Sequence, residues 1–85
     1  MQATADPNPV QPGATYTVTP SGGTEPYAFV LPGPPANPPG LTMTVSGGVA
    51  TIQVPEGIPS GTALRVRVVD ASVPPQHAVA LNSVA

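Results

Sequence analysis

The sequence has no cysteine, no lysine and no tryptophan, and Arg65 and Arg67 are its only arginines. Without cysteine, disulfides and thiolate metal sites are excluded. Two arginines cannot neutralise a row of phosphates, so binding to nucleic acid and a polybasic contact with a membrane surface are both excluded. No apolar run approaches the roughly 20 residues that a membrane-spanning helix needs.

Proline and glycine, in contrast, are abundant, with 14 prolines and 9 glycines in 85 residues. Such a composition is also found in disordered chains. Disordered chains combine low hydrophobicity with high net charge, whereas this chain has a net charge of −2 and is 40% hydrophobic. Because 85 residues leave room for one small domain, we predict a single folded domain that spans residues 1–85.

Short runs in which polar and apolar residues alternate recur along the chain, and glycine or proline closes each run. Ser46-Gly47-Gly48 is typical of a tight hairpin between two paired strands. Seven short strands without a helix predict an all-β, two-sheet antiparallel sandwich. The predicted strands cover residues 3–10, 14–19, 27–31, 41–45, 49–54, 64–68 and 77–84.

The inward positions of these strands predict the core, and the loops are predicted from proline. The strand over 27–31 is expected to be central and buried, because its large residues share one face. Five prolines between Pro32 and Gly40 predict a stiff, extended surface loop. The predicted core residues are Tyr16, Val18, Tyr27, Phe29, Leu41, Met43, Ile52, Val54, Leu64, Val66 and Val68.

Several stretches resemble the Ig-like repeats of bacterial and phage proteins. The resemblance lies in the turn and strand over 21–29, in Pro38-Pro39-Gly40-Leu41-Thr42, and in the strand over 64–70 that ends in Val69-Asp70. The opening over 9–18 is also similar to the first strands of bacterial Ig-like modules. The resemblance implies an Ig-like sandwich, and it implies little about function, because such folds carry many tasks.

The residues that could carry chemistry are few and scattered. Asp70 and His77 flank a Pro-Pro turn and could meet, but no serine context for a nucleophile accompanies them. Asp6 and Asp70 are the only plausible contributors to a calcium site, and no acidic cluster supports one. We therefore predict no catalytic residues, no cofactor and no metal, and a binding or structural module that is not an enzyme.

Partner binding is predicted at two features. Arg65 and Arg67 project from one face of one strand, where they form either a solvated face or an anchor into an acidic patch of a partner. The last strand, over 78–84 and including Val79 and Leu81, carries no charge, so its edge is expected to be bare and open to a neighbouring copy or a host protein. Asp6 and three prolines, in contrast, protect the first strand.

Two weaker alternatives remain for binding. The proline-rich loop contains Pro32-Gly33-Pro34-Pro35 and Pro35-Ala36-Asn37-Pro38, which could present a polyproline II ligand, although a spacer loop is the simpler interpretation. Tyr27 could stack on a sugar, although packing in the core is the simpler role for a tyrosine in that alternation.

The function predicted from these observations is that of an Ig-like decoration protein on the exterior of a phage capsid. The chain begins with Met, shows no signal peptide and stops after its last predicted strand, so we expect a complete small product made in the host cytoplasm. Its partner would be the major capsid protein or neighbouring subunits. The alternatives are one repeat of a bacterial surface adhesin, acting as a spacer or binding a glycan or protein, and then an accessory domain of an enzyme.

Overall fold

The computed structural model describes residues 1–34 and 36–85 and is all-β, with seven strands and no helix among those residues. It accordingly contains no helix long and apolar enough to cross a membrane. The predicted number of strands and the hairpin between the fourth and fifth are confirmed. The strands are β1 (Gln2–Asp6), β2 (Thr15–Ser21), β3 (Ala28–Val30), β4 (Thr42–Ser46), β5 (Val49–Gln53), β6 (Ala63–Val69) and β7 (His77–Ser83).

The strands form two antiparallel sheets, with orders β1-β2-β5-β4 and β3-β6-β7. This is the strand order of immunoglobulin constant-type domains, in which strands A, B, E and D form one sheet and C, F and G the other. The predicted Ig-like two-sheet sandwich is therefore what the chain adopts. Its sheets have four outer edges, which are β1 and β4 in the larger sheet and β3 and β7 in the smaller one.

After β1 the chain changes sheets. Residues 7–10, which we call the crossover segment, lead from the four-stranded sheet to the outer edge of β7, where Val10 forms a parallel bridge with Val84. Alternation predicted one strand over 3–10, but prolines at positions 7 and 9 cannot donate ladder hydrogen bonds. The strand therefore ends at Asp6, and pairing resumes only at Val10.

The core between the sheets is aliphatic apart from Tyr16. Seven of the eleven predicted core residues are buried, whereas Tyr27, Phe29, Leu41 and Met43 are half-buried and pack against the core from one side. Four further residues belong to the core that alternation alone did not identify. They are Val10, Ala50, Ala80 and Val84.

The prediction that the strand over 27–31 is central and buried is wrong. β3 has only three paired residues, and β6 is its single partner, so it is an edge strand. Its side chains alternate as expected, with Phe29 facing inward and Val30 facing solvent. An inward-facing side chain on an edge strand is covered from one direction only, which explains why Phe29 is half-buried.

The prediction that proline ends the second strand at residue 19 is also wrong. β2 continues through Pro20 to Ser21, and both residues pair with β1. On its other side β2 pairs with β5 only from Thr15 to Val18. Proline is tolerated at position 20 because no strand on that second side requires its missing N–H.

Tyr16 carries the least favourable polar atom of the core. The ring is 1% exposed, and its hydroxyl has no hydrogen-bond partner among the described residues. Burial disfavours the charged phenolate, which raises the pKa of Tyr16 to about 12. An unpaired buried hydroxyl costs free energy, so Tyr16 contributes its ring to stability and not its oxygen.

Candidate functional site

The outer face of the three-stranded sheet brings together the four residues that the sequence marked for binding a partner. Arg67 lies between Val30 of β3 and Val79 of β7 in one cross-strand row. Arg65 lies opposite Leu81 in the next row. All are exposed, and the three apolar side chains are 48%, 48% and 62% accessible to solvent. We call these five residues the arginine face.

Neither arginine faces an acidic side chain in the strand register, since every cross-strand neighbour just named is apolar. Opposite charges on facing positions normally stabilise such a row, and here they are missing. The molecule has a net charge of −2, so its acids must lie elsewhere. They are Asp6 at the end of β1, Glu25 between β2 and β3, Glu56 between β5 and β6, and Asp70 after β6.

The edge of β7 is only partly bare, contrary to the prediction for residues 78–84. The backbone N–H of Val10 donates to Ser83 O at 2.9 Å, and Ala85 N–H donates to Val10 O at 2.8 Å. The side-chain amide of Asn8 donates to Leu81 O at 3.2 Å. The crossover segment thus covers the last part of the β7 edge. It does so because the chain passes along β7 after it leaves β1, which the uncharged composition of residues 78–84 does not indicate.

The free part of the edge lies around Val79. Hydrogen bonding in an antiparallel ladder alternates, so residues that share the parity of Leu81 and Ser83 direct their backbone groups away from β6. Val79 and His77 share that parity, and the crossover segment does not reach them. Two of the predicted binding residues, Val79 and Leu81, therefore lie on the arginine face, and of these two the crossover segment forms a hydrogen bond only with Leu81.

The proline-rich loop is folded and not extended, which corrects the sequence prediction. Gly33 O accepts hydrogen bonds from Ala36 N at 3.1 Å and from Asn37 N at 3.3 Å, so the loop turns sharply there. Polyproline II has no internal hydrogen bonds, so the described residues Ala36 and Asn37 do not belong to such a helix. Pro35, which both predicted polyproline motifs contain, lies outside the described residues.

Asn37 fixes this loop to β6. Its side-chain amide donates to Arg65 O and to Pro32 O, each at 2.8 Å, and its Oδ1 accepts from Arg65 N at 2.8 Å. Since Val30 pairs with Arg67, the next strand partner of Arg65 would be Pro32, which has no N–H. The side chain of Asn37 replaces the missing strand and is itself only 2% exposed.

Sequence reasoning did not identify Asn37. One signal in the chain could have indicated it. Pro32 follows two positions after the end of β3, and it has no N–H with which to pair with β6, which continues past that point. A nearby asparagine can supply both a donor and an acceptor. The loop and the start of β6 also enclose a shallow depression of about 580 Å³, one wall of which is Arg65.

Asp70 holds two loops together at one end of the sandwich. Its carboxylate accepts hydrogen bonds from Ser72 Oγ at 2.6 Å, from Gln76 N at 2.7 Å and from Thr24 N at 3.0 Å. These donors, with the Ser72 hydroxyl first, lower the pKa of Asp70 to about 2. Gly23 passes so close that an added Cβ would lie 2.7 Å from Asp70 Oδ2.

Neither candidate pair of titratable groups, Asp70 with His77 or Asp6 with Asp70, is joined by a hydrogen bond among the described residues. The described hydrogen-bond partners of the Asp70 carboxylate belong to the two loops, and His77 is exposed at the start of β7. Asp6 is the last residue of β1, where it pairs with Thr17. Asp70 lies beside Gly23, near the other end of β1, so the two carboxylates are at opposite ends of that strand. The described residues contain no group of three or more histidines or acids that could hold a metal ion.

A second surface feature is a cleft between the edge strands β3 and β4, which we call the aromatic cleft. Its volume is about 470 Å³, within the range of ligand sites. The hydroxyl of Tyr27 donates to Gly22 O at 2.6 Å and so fixes the ring at the mouth of the cleft. Tyr27 thus packs against the core, as expected, but also lines an open surface. The lining residues are Glu25, Pro26, Tyr27, Phe29, Val45 and Gly48.

No protein-family model matches this chain, and no curated protein sequence matches it significantly. The resemblance to bacterial and phage Ig-like repeats therefore stays a prediction.

Proposed function

We propose that this chain is a non-catalytic structural module that docks on a larger protein assembly through the arginine face, and that this assembly is the exterior of a phage capsid. The arginine face supports the docking step. It gathers both arginines of the chain, together with three exposed apolar side chains, on the outer face of one sheet.

The composition of the face favours a protein partner with an acidic surface. Arginine and large apolar side chains are enriched in protein interfaces, where a guanidinium can bind a carboxylate in a bidentate manner. Exposed β-sheet faces of monomers usually carry polar residues, as the threonine-rich outer face of β2 and β4 does here. A capsid surface, or a neighbouring subunit on it, is the partner that we propose.

The capsid assignment rests on the resemblance to phage Ig-like repeats, on the lack of thiols and on the low charge, which suit a passive exterior part. The second candidate is a repeat of a bacterial surface adhesin, in which the module acts as a spacer or binds a glycan. The aromatic cleft favours that candidate, since aromatic rings and a carboxylate are suited to sugar recognition.

The test has two steps. The gene should lie among genes for phage capsid proteins, and purified particles of that phage should carry the 8.4 kDa chain in stoichiometric, repeated copies. Absence of the chain from those particles would overturn the proposal. A gene inside a longer surface-protein reading frame would instead favour the adhesin.

Variants of the face then test the docking surface on particles that lack the chain. Arg65→Gln with Arg67→Gln removes two positive charges, so the net charge changes from −2 to −4. Thr4→Glu with Thr51→Glu adds two negative charges on the opposite sheet and reaches the same −4. We expect only the arginine variant to lose binding, and equal losses would indicate a net-charge effect instead of a docking face.

A further inference from the structure

The arginine face and the aromatic cleft have complementary chemistry. On the face, Arg67 projects between two exposed valines. In the cleft, the exposed carboxylate of Glu25 lies beside the half-buried rings of Tyr27 and Phe29. A guanidinium binds both a carboxylate and the face of an aromatic ring, so the cleft offers what an arginine with apolar neighbours requires.

The two surfaces cannot meet within one copy. Arg67 projects from the outer face of the three-stranded sheet, opposite Val30. The cleft opens between the two sheets, between β3 and β4, and Glu25 lies in the loop that precedes β3. The side chain that fits the cleft must therefore come from another molecule.

We infer that the aromatic cleft of one copy receives the arginine face of a second copy, with Glu25 paired with Arg67 and the rings of Tyr27 and Phe29 packed against its apolar neighbours. This inference rests on the proposed function, because it names a neighbouring subunit as a partner of the arginine face. We place the face and the cleft of each copy against two different neighbours, so the contact is head-to-tail and builds a ring or a row of copies.

Charge decides between this contact and a symmetric one. If two arginine faces met each other, four guanidinium groups would lie in one interface with no acid between them, and like charges in an interface repel each other. The head-to-tail contact instead joins the positive face to the cleft that contains an acid. The apolar atoms around both charges keep water away and strengthen the attraction.

The isolated contact is small, and we expect weak association in solution that becomes important in an array with many copies. The experiment is sedimentation velocity at low salt, with chain concentrations up to roughly millimolar, the range in which weak contacts are populated. The sedimentation coefficient should rise with concentration, and added salt should reduce the rise.

Charge reversal at each partner identifies the contact. We expect Glu25→Arg and Arg67→Glu each to lower the association constant by at least about tenfold. An equimolar mixture of the two variants should associate about as well as the wild type, because the reversed charges attract again. An unfolded variant could not be rescued in this way, so the mixture also controls for folding.

Glu56→Arg is the matched control. Like Glu25→Arg it removes one negative charge and adds one positive charge, so both change the net charge from −2 to 0, but Glu56 lies in the loop between β5 and β6. Its association should equal that of the wild type. The inference is overturned if the wild type does not associate, if Glu56→Arg weakens association as much as Glu25→Arg, or if the mixture associates no better than its components.

Its failure is distinguishable from failure of the proposed function. If Arg65→Gln with Arg67→Gln abolishes binding to particles while Glu25→Arg binds normally, the arginine face docks on another protein and the cleft has no part in it. If copies associate as described but particles do not carry the chain, the head-to-tail contact stands and the capsid proposal fails.

Discussion

The two open sides of the sandwich are closed in different ways. On the β1–β7 side, the edge strands contact each other and the crossover segment bridges them with backbone hydrogen bonds. On the β3–β4 side, the edges leave the aromatic cleft between them, and a folded proline loop replaces the missing part of β3. The crossover segment covers one side, mainly through backbone hydrogen bonds, whereas the side chain of Asn37 closes only part of the other and the cleft stays open. A substitution of the same type should therefore have unequal effects on the two sides.

The difference shows how the same inward alternation produces a core on one side and a surface on the other. Val10 is completely buried because the crossover segment places it over the edge of β7. Val45 faces inward on β4 but is 49% exposed, because none of the segments that the structure describes crosses the gap beside it. A side chain is buried only if it faces inward and if another segment covers it. Alternation predicts the first of these conditions and not the second.

The largest expected effect is the loss of the β1–β7 side as a whole. Truncation after Gln76 removes β7, the partner of both β6 and the crossover segment, and exposes the hydrophobic core. Since a domain of this size has only about 4–13 kcal/mol of stability, we expect the truncated chain to be unfolded. Far-UV circular dichroism and amide dispersion in NMR measure this, and a cooperative melt of the truncated chain would show that the sealed side is dispensable.

The second prediction breaks the side-chain closure. Asn37→Ala leaves the partly buried N–H and C=O of Arg65 without protein partners, which should cost about 2 kcal/mol. Asn8→Ala is the control on the other side, because it loses one exposed bond of 3.2 Å and should cost less than about 0.5 kcal/mol. Urea denaturation compares the two, and equal costs would contradict the role of Asn37.

The third prediction compares one substitution on both sides. Val10→Ala removes two methyl groups from a completely buried site, which should cost about 2 kcal/mol. Val45→Ala removes the same atoms from a half-exposed site beside the cleft and should cost under about 0.5 kcal/mol. Both are measured by urea denaturation with equal m-values. A cost at Val45 as large as that at Val10 would mean that the cleft is closed in solution.

The fourth prediction concerns the core between the two sides. Tyr16→Phe removes the unpaired hydroxyl and should stabilise the fold by about 1 kcal/mol. The folded-state pKa of Tyr16, about 12, lies above the ordinary value of 10.0, so the wild type should lose stability as the pH rises from 10 to 12, where the unfolded chain binds fewer protons. Thermal melts of both proteins should diverge over that range. A destabilised Phe variant would reveal a partner for the hydroxyl.

The smallest effect is expected in acid, at the end of the sandwich beside the cleft. The pKa of Asp70, about 2 when folded, lies below its ordinary value of 3.8, so its stabilisation is present above pH 3.8 and is lost as the pH falls toward 2. The Asp70→Asn variant has no carboxylate at this position, so its stability does not fall through this titration. The difference in melting temperature between wild type and variant should therefore shrink from pH 5 to pH 2, and parallel curves would show that the carboxylate does not hold the loops.

The sequence was informative where local rules act alone. The β4–β5 hairpin follows from Gly47 and Gly48, whose φ angles of 60° and 75° match a two-residue turn that other residues rarely adopt. Arg65 and Arg67 face outward because strand alternation requires it, and alternation also places Val79 and Leu81 on the same face once β7 pairs with β6.

The sequence did not predict the contacts between residues that are distant along the chain. Asn37 bonds to Arg65 only because β3 stops at Val30 and leaves the first residues of β6 without a strand partner. Asn8 reaches Leu81 only because the chain changes sheets after β1. The aromatic cleft arises in the same way, since Tyr27 and Phe29 read as core residues until β3 proves to be an edge.

The sequence by itself determined the all-β class, the alternation of each strand and the tight turns, because these depend on neighbouring residues and on the fixed period of a strand. Tertiary structure alone decided which strands are edges, which inward side chains are covered, and that the arginine face and the aromatic cleft lie on different surfaces of the molecule. The physical reason is that pairing and burial are properties of two segments in contact, and the cost of bringing distant segments together is offset only by the whole packed core.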